Sequence, residues 1–401
     1  MKHSFTFLGA LFASGVLLAS PALAATDAPY KIGYISDITG PVQGTFKYTY
    51  EGFKLFVDQL NQEGGINGRK IEVLLKDVQS DTQKSVNAVH ELKSAGVLGI
   101  AGLAVSSTHA ATYAAAANAG IPVVAGFPPN LPIILEPAEK YAFGVGEVFN
   151  QTNTITGAIA RSIKKDAKRI ACVSFEAPGS IYSCRTTLES AKKAGFEAAE
   201  IFIISQNQRD YRAVASNIAK FKPDIITDCL GQSHVIGLLP ALGAVGYKGI
   251  YLNMETAIGD QVKRDGVKNA PDIDLYSYGR FISGKNIAKE GPQARKLQEA
   301  ASKAGIKEIV AANTGGWVLG QVIAQGLEKC QGDCASSEDF RNALEKVNVD
   351  TGGLTGVNVQ FTETNHFGPT AVRLYHYNRG TTNFDPVGDW HGIAPVRRAD
   401  K

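Results

Sequence analysis

The stretch VLGIAGLAVSSTHAATYAAAANAGIPVVA, residues 97–125, decides the fold. Val97–Leu103 reads as a short buried strand, Thr108–Ala119 as a helix, and Ile121–Ala125 as a second strand. A short apolar strand, a helix of about 10–15 residues and another apolar strand make a βαβ unit. Such strands are apolar along their whole length because helices cover both faces of a parallel sheet.

The same alternation continues on both sides. Upstream, Tyr30–Ile35 is a strand rich in β-branched and aromatic residues. Phe53, Phe56, Val57 and Leu60 then share one face of a helix over Tyr50–Asn61. Gly64-Gly65 ends that helix, Asn67-Gly68 turns the chain, and Lys70–Asp77 is the next strand. Asp81 caps a helix carrying Val86, Val89 and Leu92. Downstream, helices are expected over Thr152–Lys164, Arg185–Ala194, Tyr211–Phe221 and Val235–Val245. They alternate with strands over Arg169–Phe175, Glu200–Ile204, Asp224–Thr227 and Gly249–Asn253. The pattern breaks at Leu275–Phe281, an extended aromatic stretch. Two long helices follow, Gln293–Ala304 and Ala312–Cys330, and Val357–Phe361 and Val372–Tyr377 read as hairpin material. Two runs of strand–helix units predict an α/β protein of two Rossmann-like lobes with parallel sheets. The first run ends near Gly146.

The N-terminus carries an export signal pattern. Lys2 and His3 precede an apolar run from Phe5 to Leu18, and Ser20-Pro21-Ala22-Leu23-Ala24 offers a small-x-small cleavage site before Ala25. The run is too short for a permanent bilayer span. The expectation is a signal peptide over 1–24, no lipid anchor (the first cysteine is Cys172) and a mature protein in the periplasm. What remains is longer than the ~250–300 residues at which single cores stop growing, so two domains are expected. The formal charge of +3 gives no case for nucleic acid or an anionic membrane surface. Five cysteines in an exported chain admit disulfides. Cys330 and Cys334 bracket a turn and suit a local bridge, while Cys172, Cys184 and Cys229 leave the pairing open.

Catalytic and cofactor signatures are missing. The sequence has no GxxxxGK[ST], no HExxH and no Gly-x-Ser-x-Gly, and Gly144-Val145-Gly146 lacks a third glycine and does not follow the first strand. The histidines are scattered, and the CxxxC pair has no partners to complete a metal site. The expectation is a non-enzyme without cofactor or metal. The positive signals stand at strand ends, where open α/β sheets bind ligands. Val105-Ser106-Ser107-Thr108 opens a helix, so its amides and hydroxyls suit a carboxylate; ordinary N-capping by Ser106 or Ser107 explains the same residues. Phe127-Pro128-Pro129-Asn130 is a rigid turn carrying an aromatic and an amide. Loops at Pro178–Tyr182, Gly231–Ser233 and Met254–Thr256 complete the set, each also readable as a plain surface loop.

These residues resemble a known family, the periplasmic solute-binding proteins of the branched-chain amino-acid (leucine/isoleucine/valine) type that serve ABC importers. The resemblance is carried by Lys31–Asp37 with Thr39-Gly40-Pro41, by Gly52, Asn61, Glu63–Arg69 and Asp77, and by Ser106-Ser107-Thr108. Gly120-Ile121-Pro122 and Phe221–Asp224 extend it over essentially the whole mature chain. It implies a type I fold of two lobes joined by three crossovers, near Gly146, Tyr276–Arg280 and Gly353–Val357. Lobe 1 would hold 25–147 plus 281–354, and lobe 2 would hold 148–280 plus 355–401. It implies a monomer that traps a small solute, an amino acid first of all, and hands it to an ABC permease. The alternatives are the same role for an aromatic carboxylate or small amide, or a sensory receptor module. In amino-acid binders, the residues matching Val105, Ser106, Ser107, Thr108, Pro128 and Asn130 hold the carboxylate. Tyr182 matches the aromatic wall, Gln232 lies in another wall, and Glu255 matches the acid that pairs with the ammonium. Phe127 and Tyr182 could instead stack on an aromatic ring. Val105 stands where a serine is expected, Pro129-Asn130 replaces an Ala-Thr turn, and Gln232 replaces an aromatic. The pocket is therefore not a plain copy of a leucine site.

Overall fold

The computed structural model describes residues 28–39, 43–127, 132–146, 148–254, 266–330 and 334–394, together with Met1. The expected signal peptide, Pro128, Asn130 and Glu255 lie outside the described residues.

The first sheet grows from alternating units: β1 (Tyr30–Ser36), α1 (Gln43–Gln62), β2 (Ile71–Asp77), α2 (Thr82–Ser94), β3 (Gly99–Gly102), α3 (Ser106–Asn118), β4 (Val123–Ala125) and β5 (Ala142–Val145). The second follows with α4 (Phe149–Thr152), α5 (Thr156–Ile163), β6 (Arg169–Phe175), α6 (Pro178–Lys193), β7 (Ala198–Ile204), α7 (Arg212–Phe221), β8 (Ile225–Cys229), α8 (Gln232–Ala244), β9 (Ile250–Met254) and β10 (Asp274–Gly279). The chain then returns through α9 (Pro292–Lys303), α10 (Ala311–Glu328), α11 (Ser337–Leu344), β11 (Asn348–Val349), β12 (Val359–Gln360) and β13 (Phe367–Gly368). It ends in the hairpin β14 (Ala371–Asn378) and β15 (Asn383–Gly392).

The first sheet has the order β13-β5-β4-β3-β1-β2 and is parallel throughout. The second has the order β15-β14-β10-β9-β8-β6-β7, parallel from β10 to β7 and antiparallel at the hairpin. The central strands are apolar runs buried on both faces: β3, β4, β8 and β9 have no exposed residue. The chain passes between sheets after β5, after β10 and after β13.

The third passage differs from expectation. Residues 355–368, expected in lobe 2, stay with the first lobe: β12 pairs with β11 in a separate two-stranded sheet, and β13 joins the first sheet beside β5. Val359, Phe361 and Phe367 are buried in first-lobe cores. The passage thus falls at Pro369-Thr370 rather than at Gly353–Val357. The hairpin partner of Val372–Tyr377 is likewise β15, not Val357–Phe361.

The long return closes the first lobe. Helix α10 packs on α1 so tightly that a Cβ at Gly52 would stand 1.8 Å from the Asn313 carbonyl oxygen, and one at Gly316 would stand 1.9 Å from that of Thr49. Asn313 Nδ2 donates to the Tyr48 carbonyl (3.0 Å), and Phe56 meets Trp317 edge-on at 5.3 Å. At the other end of α1, the Asn61 amide pairs with both the N–H and the C=O of Ile71, each at 2.8 Å. That contact fixes helix to strand. Two disulfides are formed, Cys172–Cys184 and Cys330–Cys334, and Cys229 is a buried free thiol.

Candidate functional site

In the first lobe the site begins with Asp37, the residue after β1. It is buried, and its carboxylate accepts the Val105 N–H (3.0 Å), the Ser80 hydroxyl (3.1 Å) and the Ser80 N–H. One side chain thereby holds the loops that follow β2 and β3. Burial raises its pKa, and the Ser80 and Val105 hydrogen bonds oppose that shift. Asp77 fastens the neighbouring turn by accepting the N–H groups of Ile38 (3.0 Å) and Thr39 (3.3 Å) and the Thr39 hydroxyl (2.6 Å).

Val105, Ser106, Ser107 and Thr108 come together as the N-cap and first turn of α3. The N-capping reading fails here: the cap residue is Val105, which offers no side-chain hydrogen bond. Thr108 is buried, and its hydroxyl turns back to the Val105 carbonyl (2.9 Å), whereas Ser107 is exposed and Ser106 half-buried. A helix start with no side-chain cap leaves amide donors for an anion. The next strand end joins this turn, because the Gly126 N–H donates to the Gly102 carbonyl (2.9 Å). Phe127 follows, half-buried, its ring 6.0 Å from Phe46 and edge-on.

In the second lobe, Tyr182 and Gln232 lie on helices rather than on loops. Pro178 starts α6, where a missing N–H costs nothing, so the segment read as a turn is a helix start. Tyr182 stands in the second turn of α6, 53% exposed. Gln232 is the first residue of α8, half-buried. These helices follow β6 and β8, which are neighbours in the sheet.

Two residues that the sequence reading missed lie beneath these elements. Asp228 on β8 is buried, and its carboxylate accepts the Leu230 N–H (3.0 Å) and Asn253 Nδ2 (2.7 Å). Asn253 is the penultimate residue of β9, before Met254, so the Asp228–Asn253 pair joins the strand ends that lead to Gln232 and to Glu255. Burial pushes the Asp228 carboxyl up to about 6, against hydrogen bonds from Asn253, Leu230 and Tyr251. The signal was an acid inside the apolar run Ile225–Cys229. Asp37 gave a related signal, an acid directly after the strand β1.

No described arrangement here assembles a nucleophile with an oriented base. His109 Nε2 lies 2.8 Å from the Ala104 carbonyl, and burial pushes the ring down to about 4. His234 Nδ1 lies 3.2 Å from the adjacent Ser233 hydroxyl, but its Nε2 rests on the Gln206 carbonyl (3.0 Å), where a triad would place a carboxylate. The sulfurs of Cys172, Cys184 and Cys229 cluster within 4.8 Å. Two of them are spent in a disulfide, and burial pushes the Cys229 thiol up, so as they stand they offer no thiolate to a metal.

Two α/β lobes crossed three times by one chain, with helix starts at the carboxyl ends of parallel strands, define a type I periplasmic-binding-protein fold. The chain belongs to the periplasmic binding protein family, which matches residues 29–382. It is 21% identical over 339 residues to Leu/Ile/Val-binding protein homolog 3 of Brucella melitensis biotype 1, covering 82% of this chain and 88% of that relative. Its fold matches the branched-chain amino acid transporter substrate binding protein LivJ of Streptococcus pneumoniae in complex with isoleucine, with a TM-score of 0.73, 18% identity, and coverage of 92% of this chain and 100% of that one. It also matches a solute binding protein of an ABC transporter from R. palustris in complex with benzoate, with a TM-score of 0.75, 17% identity, and coverage of 92% and 98%. Among the described residues, no helix is long and apolar enough to cross a membrane.

Proposed function

We propose that this protein is the exported capture component of an ABC importer. Residues 1–24 are removed on export. The mature monomer binds a small carboxylate-bearing solute between its lobes and passes it to a permease without chemical change. The observation that carries the reading is the start of α3, whose backbone is fastened through Val105 to Asp37 while its first turn keeps amides and serine hydroxyls for a carboxylate. Val105, Ser106, Ser107, Thr108, Pro128 and Asn130 form that side of the site. Tyr182, Gln232 and Glu255 form the other, with Glu255 on the solute ammonium. A buried zwitterion needs opposite charges at its two ends, because an unpaired buried charge is costly. This favours an amino acid, in keeping with the relative named for leucine, isoleucine and valine.

A second reading rests on the rings. Phe127 beside Phe46, with Tyr182 on the other lobe, suits an aromatic carboxylate, the class bound by the benzoate-binding neighbour. A thermal-shift screen of the protein purified from the periplasm separates the two. A solute at about 100 times its dissociation constant adds about 2.7 kcal/mol to stability. A shift with L-leucine or L-isoleucine supports the amino-acid site. A shift with benzoate alone removes the ammonium role of Glu255, and no shift with any amino acid, aromatic acid or amide overturns the capture reading. N-terminal sequencing of the same sample is expected to begin at Ala25.

A further inference from the structure

Arg280 lies on the second passage between the sheets, just after β10, and is fully buried at 0% exposure. Its Nη1 donates to the carbonyl of Pro369, on the third passage. Its Nη2 donates to Thr152 Oγ1 (2.8 Å) and Gln151 Oε1 (3.1 Å), on the short helix that opens after the first passage. The guanidinium also lies 5.1 Å over the ring of Phe367, the residue that begins β13. One side chain thus touches elements of all three passages. The guanidinium offers five donors in a fixed planar fork, a geometry that suits several partners around one side chain, and a buried charge is costly unless it is hydrogen-bonded.

Both ends of this joint reach further. Next to Thr152, Asn153 Nδ2 donates to the Ser183 carbonyl (3.0 Å), one residue from Tyr182. Next to Arg280, Phe281 packs where a Cβ at Gly315 of α10 would meet its ring at 3.0 Å and one at Gly146 would meet it at 3.7 Å.

We propose that Arg280 is a positioning residue for solute capture: it locks the three passages into a single joint, so the lobes turn together and present Tyr182 and the α3 turn to the solute in register. The proposal rests on the capture reading above, but its first test needs no solute. Spin labels are placed at the exposed positions Lys84→Cys in α2 and Lys193→Cys in α6, and the distance distribution between them is measured in the ligand-free protein. Arg280→Lys keeps the charge but loses the fork, and it is expected to broaden the distribution about twofold. Thr152→Val, which removes one acceptor and leaves the arginine in place, broadens it less. It also decides the question if Arg280→Lys fails to fold.

The second test is affinity for L-leucine or benzoate, whichever stabilises the wild type. A roughly tenfold loss is expected in Arg280→Lys, mostly through faster release. Ile218→Ala, a buried core change in α7, which contributes no residue to the joint, is expected to lower the melting temperature without moving width or affinity. If Arg280→Lys and Thr152→Val behave as Ile218→Ala does, the arginine is only packing and the proposal fails. A wild type that binds neither solute would count against the capture reading, and the distance distribution would still decide the role of Arg280.

Discussion

Asp37 in the first lobe and Asp228 in the second occupy matching places, buried at the carboxyl edge of each parallel sheet, yet they are held differently. Asp37 receives backbone N–H groups from two separate loops and one hydroxyl. Asp228 receives one backbone N–H from its own loop and the side-chain amide of Asn253. Removing Asp37 takes away the acceptor of the Val105 and Ser80 N–H groups. Replacing Asp228 by an amide keeps an acceptor for the Leu230 N–H and removes the buried charge, with the Asn253 amide turned over to face the new NH2. The first lobe therefore fixes the start of α3 through backbone donors to Asp37, whereas the second lobe holds Asp228 mainly through a neighbouring side chain. Burial raises the pKa of both acids, and for Asp228 the carboxyl reaches about 6.

The largest effect should come from the charge that completes the comparison. If the first lobe holds a carboxylate and the second an ammonium, Glu255→Gln strands the ammonium and costs about 3–5 kcal/mol of amino-acid binding. Isothermal titration with L-leucine measures it, and an unchanged affinity would remove Glu255 from the site. Next, Asp37→Ala should lower unfolding free energy by about 3 kcal/mol, since each buried donor left unsatisfied costs about 1–3 kcal/mol. It should also weaken solute binding about tenfold by freeing Val105. Urea unfolding and titration would read both, and a loss below about 1 kcal/mol would mean that Asp37 clamps nothing.

The smallest effect is the most particular. An unfolded aspartate ionises near ~3.9, whereas folded Asp228 ionises at about 6. The folded state therefore holds this proton more tightly. The stability it confers is complete below about pH 4 and is lost as pH rises through 6. Asp228→Asn lacks that loss, so it should be about 2 kcal/mol more stable relative to wild type at pH 7.5 than at pH 4. Parallel stability curves for the two proteins would give Asp228 the same clamping role as Asp37 and erase the difference between the lobes.

Much of the architecture was legible because parallel strands covered on both faces must be apolar runs. Arg169–Phe175 is a strand in both readings, and most other elements differ by a few residues at their ends. The failures have separate causes. Strands β12 and β13 have two residues each, too few to carry any period, so the third passage was set about a dozen residues early. Pro178 is a turn residue by composition and a favoured helix starter by geometry, which hid the first turns of α6. Within the candidate site, the serines that open α3 announce themselves, whereas Asp37 and Asp228 act through donors that only the sheet edge brings near. Arg280 gave no local sign, because its partners at Gln151, Thr152 and Pro369 lie about 90 to 130 residues away along the chain.

The seam of α1 on α10, closed over Gly52 and Gly316, has a consequence for how the chain is made. Residues 43–62 find their partner only at 311–328. Until that segment has left the ribosome, the first lobe has no complete core, and contacts between such distant segments form slowly. If the chain is exported as proposed above, this order of assembly gives it time, since an early segment is locked only after residue 328 has been made.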